Sequence, residues 1–304
     1  MRRTFTLISL LHMELSQPPI GIIRWLLDNN SLVPFLGAGA STQISANPED
    51  EKLRSAVGLA EALGEFCFPG LNTTVHSLME IAAVTELVHD RFSLEKEVYR
   101  LISDAGEPQR IHKWLARSSA SLIVTTNYDS LLERAFHEAG REFEMLMTLV
   151  EGDIEKVFWW PAGAMEPRLV MPGDYRIFET KTPLIYKIHG GLDPARSWRR
   201  CVITEDDYFQ FGCRLYGGSI LPKQVAAVLH NTPMLFLGYS LRDVHVRNFV
   251  SRLARASSAE SSFLLSKRLL ELDRVRFLKM GIHAYEITIE EFLALLTQAP
   301  PNSR

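Results

Sequence analysis

Ser31-Leu32-Val33-Pro34-Phe35-Leu36-Gly37-Ala38-Gly39-Ala40-Ser41 opens as an apolar run and ends in a glycine pair, small residues and a hydroxyl. A short apolar run bounded by glycine reads as a strand buried on both faces, the strand type of a parallel sheet. Ligands of open α/β sheets bind beyond the carboxyl ends of such strands. Glycines there let the backbone approach an anion with no Cβ in the way, while amide N–H groups supply the complementary partial charge. The same Gly-Ala-Gly pattern also serves tight strand-to-helix turns that bind nothing. Thr42 stands where the Gly-x-Gly-x-x-Gly fingerprint of dinucleotide folds has its third glycine.

Two further apolar runs end in the same manner. Leu122-Ile-Val-Thr-Thr126 leads into Asn127-Tyr128-Asp129, and Leu184-Ile-Tyr-Lys-Ile188 leads into His189-Gly190-Gly191. After Asp129 the apolar positions Leu131, Leu132, Ala135 and Phe136 are helically spaced, so Asn127 or Asp129 can cap a helix with Glu133 in its first turn. Capping explains one polar residue. It leaves open why an amide, a carboxylate and the Thr125-Thr126 pair gather at the mouth of the sheet that carries the glycine loop. Among nine histidines, His189 is the one at such a strand end, with glycines clearing space beside it. An imidazole titrates near neutral pH and can act as base or acid; filling the strand end is the structural alternative.

Read in order, Gly-Ala-Gly-x-Ser, Thr-x-Asn-x-Asp, His-Gly and the Gly238-Tyr239-Ser240 of Leu235-Phe-Leu-Gly-Tyr-Ser resemble the motifs of the sirtuin (Sir2-like) group of NAD-consuming enzymes. The resemblance is sharper to the bacterial Sir2-like branch found in anti-phage defence proteins, through Lys187-Ile-His-Gly, Val202-Ile-Thr-Glu-Asp-Asp-Tyr208 and Gly238-Tyr-Ser-Leu-Arg-Asp-Val-His245. It spans residues 21 to 290. It implies that Gly37, Ala38, Gly39 and Ser41 line the diphosphate and adjoining ribose of NAD⁺, with Thr126 beside them. It further implies that Asn127 holds the nicotinamide ribose and the attacking water, Asp129 the nicotinamide carboxamide, and Gly238 and Ser240 the phosphates or adenosine side. His189 is then the general base. Where deacylating sirtuins carry Pro-Asp-Phe-Arg, this chain has Thr42-Gln-Ile-Ser-Ala-Asn-Pro48, so the contacts of that loop are not carried over.

The structural zinc ribbon of deacylating sirtuins needs two Cys-x-x-Cys pairs. The chain has three cysteines, Cys67, Cys201 and Cys213, and no two lie within three residues of each other. No metal is therefore expected. The intervening segment, 141 to 182, is rich in large apolar side chains such as Phe158-Trp159-Trp160, which can cap a site, meet a partner or fill core; core filling is the simplest reading. Unpaired cysteines fit a reducing compartment. A net charge of −3 gives no electrostatic footprint for nucleic acid or an acidic membrane, and Arg196, Arg199 and Arg200 make only a local cluster. The apolar start at Met1 is broken by His12 and Glu14 and has no small-residue cleavage site, and no stretch reaches the roughly 18 apolar residues of a spanning helix. A cytoplasmic protein is expected.

These features predict an α/β fold: a Rossmann-like, mostly parallel sheet with an inserted helical module. Residues 1–19 read as a tail and 20–300 as one catalytic domain, with a helical insertion at about 45–118 and a second insertion at about 141–182. Strands are expected near 122–126, 184–188, 201–204 and 234–238, then at Ser262-Phe-Leu-Leu and His283-Ala-Tyr-Glu-Ile; helices are expected near 20–30, 222–230, 243–256 and 267–280. With 46% hydrophobic residues over 304, one sizeable core is affordable. The resemblance implies an NAD⁺ glycohydrolase acting in anti-phage defence, homo-oligomeric, and gated by self-association or by a partner such as a HerA-like ATPase or an Argonaute-like protein. A protein deacylase and a non-enzymatic NAD or ADP-ribose sensor are the alternatives. The sensor could dispense with Asn127 and His189.

Overall fold

A computed structural model of the chain describes residues 17–42, 55–103, 106–148, 157–175, 182–192, 199–217, 221–239, 247–248, 250–251 and 262–298. In chain order the elements are α1 (Ile20–Asp28), β1 (Val33–Leu36), a 3₁₀ turn (Ala38–Ala40), then four helices: α2 (Ala56–Cys67), α3 (Leu78–Val88), α4 (Arg91–Ser103) and α5 (Arg110–Leu115). Next come β2 (Leu122–Thr125), α6 (Leu131–Glu138), β3 (Glu144–Thr148), β4 (Val157–Trp160), β5 (Arg168–Val170) and β6 (Leu184–Lys187). The short strands β7 (Gly190–Leu192) and β8 (Arg199–Cys201) precede α7 (Glu205–Gly217) and α8 (Lys223–Asn231). The last third contributes β9 (Met234–Leu237), β10 (Ser262–Ser266), α9 (Glu271–Lys279), β11 (Ile282–Glu286) and α10 (Ile289–Gln298).

Nine strands form one sheet in the order β11-β10-β9-β1-β2-β6-β3-β4-β5. All are parallel up to β3, after which β4 and β5 join antiparallel. The parallel strands are apolar because both faces are covered, and their side chains alternate between two cores. Phe35, Val124, Tyr186, Phe236 and Leu264 face α7, α8 and α9 through Phe211, Val225, Leu229 and Phe277. Leu36, Ile123, Ile185, Leu235 and Leu265 face the opposite layer, built from Ile23 and Leu27 of α1, Ile111 and Leu115 of α5, Phe136 of α6 and Phe292 of α10. The expected α/β architecture is present. Among the described residues no helix is long and apolar enough to cross a membrane.

The helical excursion between β1 and β2 packs as its own cluster: Leu59 and Leu63 of α2, Ile81 of α3, and Leu94 and Val98 of α4 meet Leu192, Cys201 and Ile203 beside the β7–β8 pair. Arg91 fastens the module to that pair and to α7. Its guanidinium donates to Glu95 Oε1 and Asp207 Oδ2, both at 2.8 Å, and to the Cys201 carbonyl at 2.6 Å. Asp207 is fixed in turn. Its Oδ2 accepts from the amides of Ile203 and Thr204 at 3.0 Å, while Thr204 Oγ1 accepts from the Asp207 amide. Such reciprocal bonds stabilise a helix N-terminus.

Three expectations change. The strand expected at 201–204 lies instead at Arg199–Cys201 and, among the described residues, pairs only with β7, because Thr204 and Asp207 commit the following residues to a helix start. The helix α7 was not expected at all. Within the segment expected as a second insertion, β3, β4 and β5 extend the main sheet, and Trp160 joins Met145 and Met147 in a small cluster of its own. Trp160 is buried there, as the core-filling reading had it, whereas Met165, Leu169 and Met171 of the same segment are exposed. Most of the helix expected at 243–256 falls outside the described residues.

Candidate active site

Three loops meet because β1 has β2 and β9 as its two neighbours and β6 lies just beyond β2. The chain leaves β1 toward β2 on one side, while β9 returns on the other, so the loops after β1 and β9 diverge at a topological switch point. A cavity of about 410 Å³ opens there. That size lies within the range of small-molecule sites. Ala38, Gly39, Ser41, Thr126, Asn127, Asp129, His189 and Gly238 all line it, and Leu59, Leu78 and Ile102 of the helical module close its far wall. Gly37 stands at the base of the loop. Ser240 lies outside the described residues.

The reason for the glycines differs from the one that the sequence suggested. A Cβ on Gly39 would come within 2.7 Å of the Gly238 carbonyl oxygen, and one on Gly37 within 2.2 Å of the Tyr239 ring. The absent side chains are thus required first by Gly238 and Tyr239, which follow β9. The Gly39 amide donates to the Gly238 carbonyl at 2.8 Å, and the Gly37 amide to the Leu237 carbonyl at 3.0 Å. Gly238 itself has φ +65°, and a Cβ there would lie 2.0 Å from the Ala40 nitrogen. Any ligand meets a glycine loop already dovetailed with its neighbour.

On the β2 side, side chains lash the loop to β1. Thr125 Oγ1 donates to the Leu36 carbonyl and accepts from the Asn127 amide, and the Thr126 amide donates to the same Leu36 carbonyl. The amide of Asn127 is then fixed in sense. Gly37 O, 3.1 Å away, can only accept, so the group facing it is Nδ2. Nδ2 also donates to Ser41 Oγ at 3.0 Å, and Ser41 Oγ donates onward to Asp129 Oδ2 at 2.8 Å. Asp129 Oδ1 accepts from the Leu131 amide at the start of α6. This directed chain leaves Asn127 Oδ1 buried with no hydrogen-bond partner among the described residues, on a side chain only 9% exposed. A buried acceptor in that condition costs free energy until a donor fills it.

His189 is 2% exposed and sits between two rings of α7, with centroids 5.4 Å from Tyr208 and 5.1 Å from Phe211, both edge-on. Those contacts fix the imidazole plane. Behind the loop, Lys187 is buried and donates to the Asp129 carbonyl and to Glu133 Oε1 at 2.7 Å. His112, 1% exposed on α5, accepts the Gln109 amide at Nδ1. Burial lowers its pKa to about 4 against the opposing pull of the Asp129 carboxylate. Tyr208, Phe211, Lys187 and His112 were not singled out from the sequence as parts of the site. The Thr204-x-x-Asp207 spacing could have revealed α7, whereas no local signal marks His112.

The chain resembles three curated proteins at low identity. It is 21% identical over 261 residues to Defense-associated sirtuin 2 of Bacillus subtilis, covering 78% of this chain and 21% of that protein. Two proteins named NAD(+) hydrolase ThsA also match: that of Enterococcus faecium at 24% over 200 residues (62% of this chain, 35% of that protein), and that of Acinetobacter baumannii at 23% over 236 residues (76% and 41%). The chain therefore spans between a fifth and about two-fifths of these relatives' lengths. The family model for the SIR2-like domain matches residues 121–285. That stretch carries Asn127, Asp129, His189 and Gly238 and makes up more than half of the chain, which belongs to the SIR2-like domain family.

Proposed function

We propose that the protein is an NAD⁺ glycohydrolase that cleaves the bond between nicotinamide and ribose. The observation that carries this reading is the unfilled Asn127 Oδ1, an oriented acceptor at a cavity that also presents the glycine loop and His189. A ribose hydroxyl or a water O–H supplies the missing donor. In the reaction the electron pair of the C1′–N bond returns to the nicotinamide ring, which leaves neutral, and the ribose acquires oxocarbenium character. Water attacks C1′, and its proton passes to His189; the products are nicotinamide and ADP-ribose. Asn127 holds the ribose and the water, Asp129 takes the carboxamide, and Gly37, Ala38, Gly39, Ser41, Thr126, Gly238 and Ser240 take the rest of the dinucleotide. No step calls for a metal.

Loss of NAD⁺ harms the cell that makes such an enzyme. This supports a role in anti-phage defence, in the cytoplasm, with activity gated by homo-oligomerisation or by a partner such as a HerA-like ATPase or an Argonaute-like protein. The names of the relatives, NAD(+) hydrolase and defence-associated sirtuin, agree with the reading. The test is nicotinamide release from NAD⁺ by the purified chain, beside Asn127→Ala and His189→Asn. Both variants are expected to lose turnover by about 100-fold or more while binding NAD⁺ within about tenfold of wild type. Substantial turnover in either removes that residue from the chemistry, and formation of O-acetyl-ADP-ribose from an acetylated peptide would favour a deacylase instead.

A further inference from the structure

Lys187 and Glu133 form a buried charged pair that the mechanism above does not use. Lys187 ends β6 two residues before His189, in register with Thr125 on β2 and Met147 on β3. Its side chain is 2% exposed and passes beneath the Asn127–Asp129 loop to Glu133 on α6, whose side chain is 14% exposed. Burying an ammonium and a carboxylate together rarely gains stability over apolar residues of similar size, so such a pair suggests a purpose other than stability. The second bond shows where that purpose lies. Nζ also donates to the main-chain carbonyl of Asp129, the residue whose carboxylate orients Ser41 and, through it, Asn127. Gly191 leaves the room: a Cβ there would stand 2.8 Å from Met147 Cε and 3.3 Å from Lys187 Cε.

We propose that Lys187, neutralised by Glu133, is a positioning residue that clamps the Asp129 carbonyl and so fixes the angle at which Asn127 and Asp129 face the substrate. The proposal rests on the glycohydrolase reading for its catalytic consequence, and on the loop geometry alone for its structural one. The anchors of the loop divide the work. Thr125 and the Leu131 amide fix the two ends, and Lys187 fixes the carbonyl between them, where the peptide plane would otherwise turn. Loose placement of reacting groups by about 1 Å can cost on the order of 100-fold in rate.

The test separates the clamp from mere ion pairing. Lys187→Met strands the Glu133 carboxylate and lowers the melting temperature. The double variant Lys187→Met with Glu133→Met removes the buried charges together and restores folding without restoring the clamp. If the clamp positions the loop, the double variant regains a near-wild-type melting temperature and binds NAD⁺ within about threefold, yet its kcat stays down about 30- to 100-fold. Amide hydrogen exchange across 126–130 is measured on the same proteins and should quicken by about tenfold or more in the double variant. Recovery of kcat together with melting temperature, or unchanged exchange in a folded double variant, overturns the proposal. If the wild-type chain releases no nicotinamide, the glycohydrolase reading fails by itself, and the exchange data still decide whether Lys187 holds the loop. Should the double variant not fold, Lys187→Arg with Glu133→Asp retains the charges but moves the donor; wild-type exchange and kcat there would equally refute the clamp.

Discussion

Acidification from about pH 7 to about pH 4 should destabilise the protein through His112. The imidazole is 1% exposed, its Nδ1 accepts the Gln109 amide, and burial lowers its pKa from 6.5 to about 4. Between those values the unfolded chain binds a proton at His112 that the folded chain does not, so this contribution to stability is complete above pH 6.5 and is lost as pH falls toward 4. At 1.36 kcal/mol per pK the loss is about 3 kcal/mol, a large share of the 5–15 kcal/mol typical of domains. Carboxylates also titrate over the lower part of this range, so the comparison is with His112→Gln, whose amide oxygen can still accept the Gln109 amide but cannot charge. Urea unfolding followed by tryptophan fluorescence at several pH values should show the wild-type curve falling about 3 kcal/mol further than the variant's. Curves parallel within about 0.5 kcal/mol would mean that His112 is charged in the fold, paired with Asp129, and would refute the reasoning.

Gly238→Ala should disrupt the glycine loop, because its φ is +65° and the new Cβ would overlap the Ala40 nitrogen; a fall in melting temperature accompanied by loss of NAD⁺ binding is expected, and unchanged values would mean the two loops can separate without penalty. Arg91→Met leaves Glu95 and Asp207 buried without their cation and should cost about 3–5 kcal/mol by chemical denaturation. Chelator treatment should leave fold and activity unchanged, since the cysteines cannot form paired ligands; elemental analysis finding stoichiometric zinc whose removal unfolds the protein would contradict this.

What could be read from the sequence was whatever is local. Val33–Leu36, Leu122–Thr125 and Leu184–Lys187 announce themselves as buried strands, and the polar residues at their ends fall together because the strands are close neighbours in the sheet. The helical excursion was legible for the same reason, its apolar positions being periodic. The glycines were read as points of close approach to a ligand, whereas the groups that approach them in the fold are Gly238 and Tyr239, more than a hundred residues away in sequence. Glu144-Met-Leu-Met-Thr148 lacks the β-branched run of Leu122–Thr125 and begins with a carboxylate. It pairs with β6 and β4, and its buried Glu144 accepts from Trp159 Nε1 and Tyr175 Oη, contacts that exist only after folding. Lys187 was noted only as part of the Lys187-Ile-His-Gly stretch and His112 was not singled out, because each takes its role from a neighbour on another element.

The pairing of β1 with β9 sets Val33 opposite Met234, with roughly two-thirds of the chain between them. Until the ribosome has released β9, the glycine loop has no Gly238 carbonyl to donate to, and one wall of the cavity does not exist. The central strand must therefore wait for its second neighbour, a long-range closure of the kind that slows folding. A cavity built in this order is absent from the early part of the growing chain. The growing polypeptide reaches its final third before that cavity can be completed, and fragments that end short of that point carry Asn127, Asp129 and His189 without the wall that Gly238 supplies.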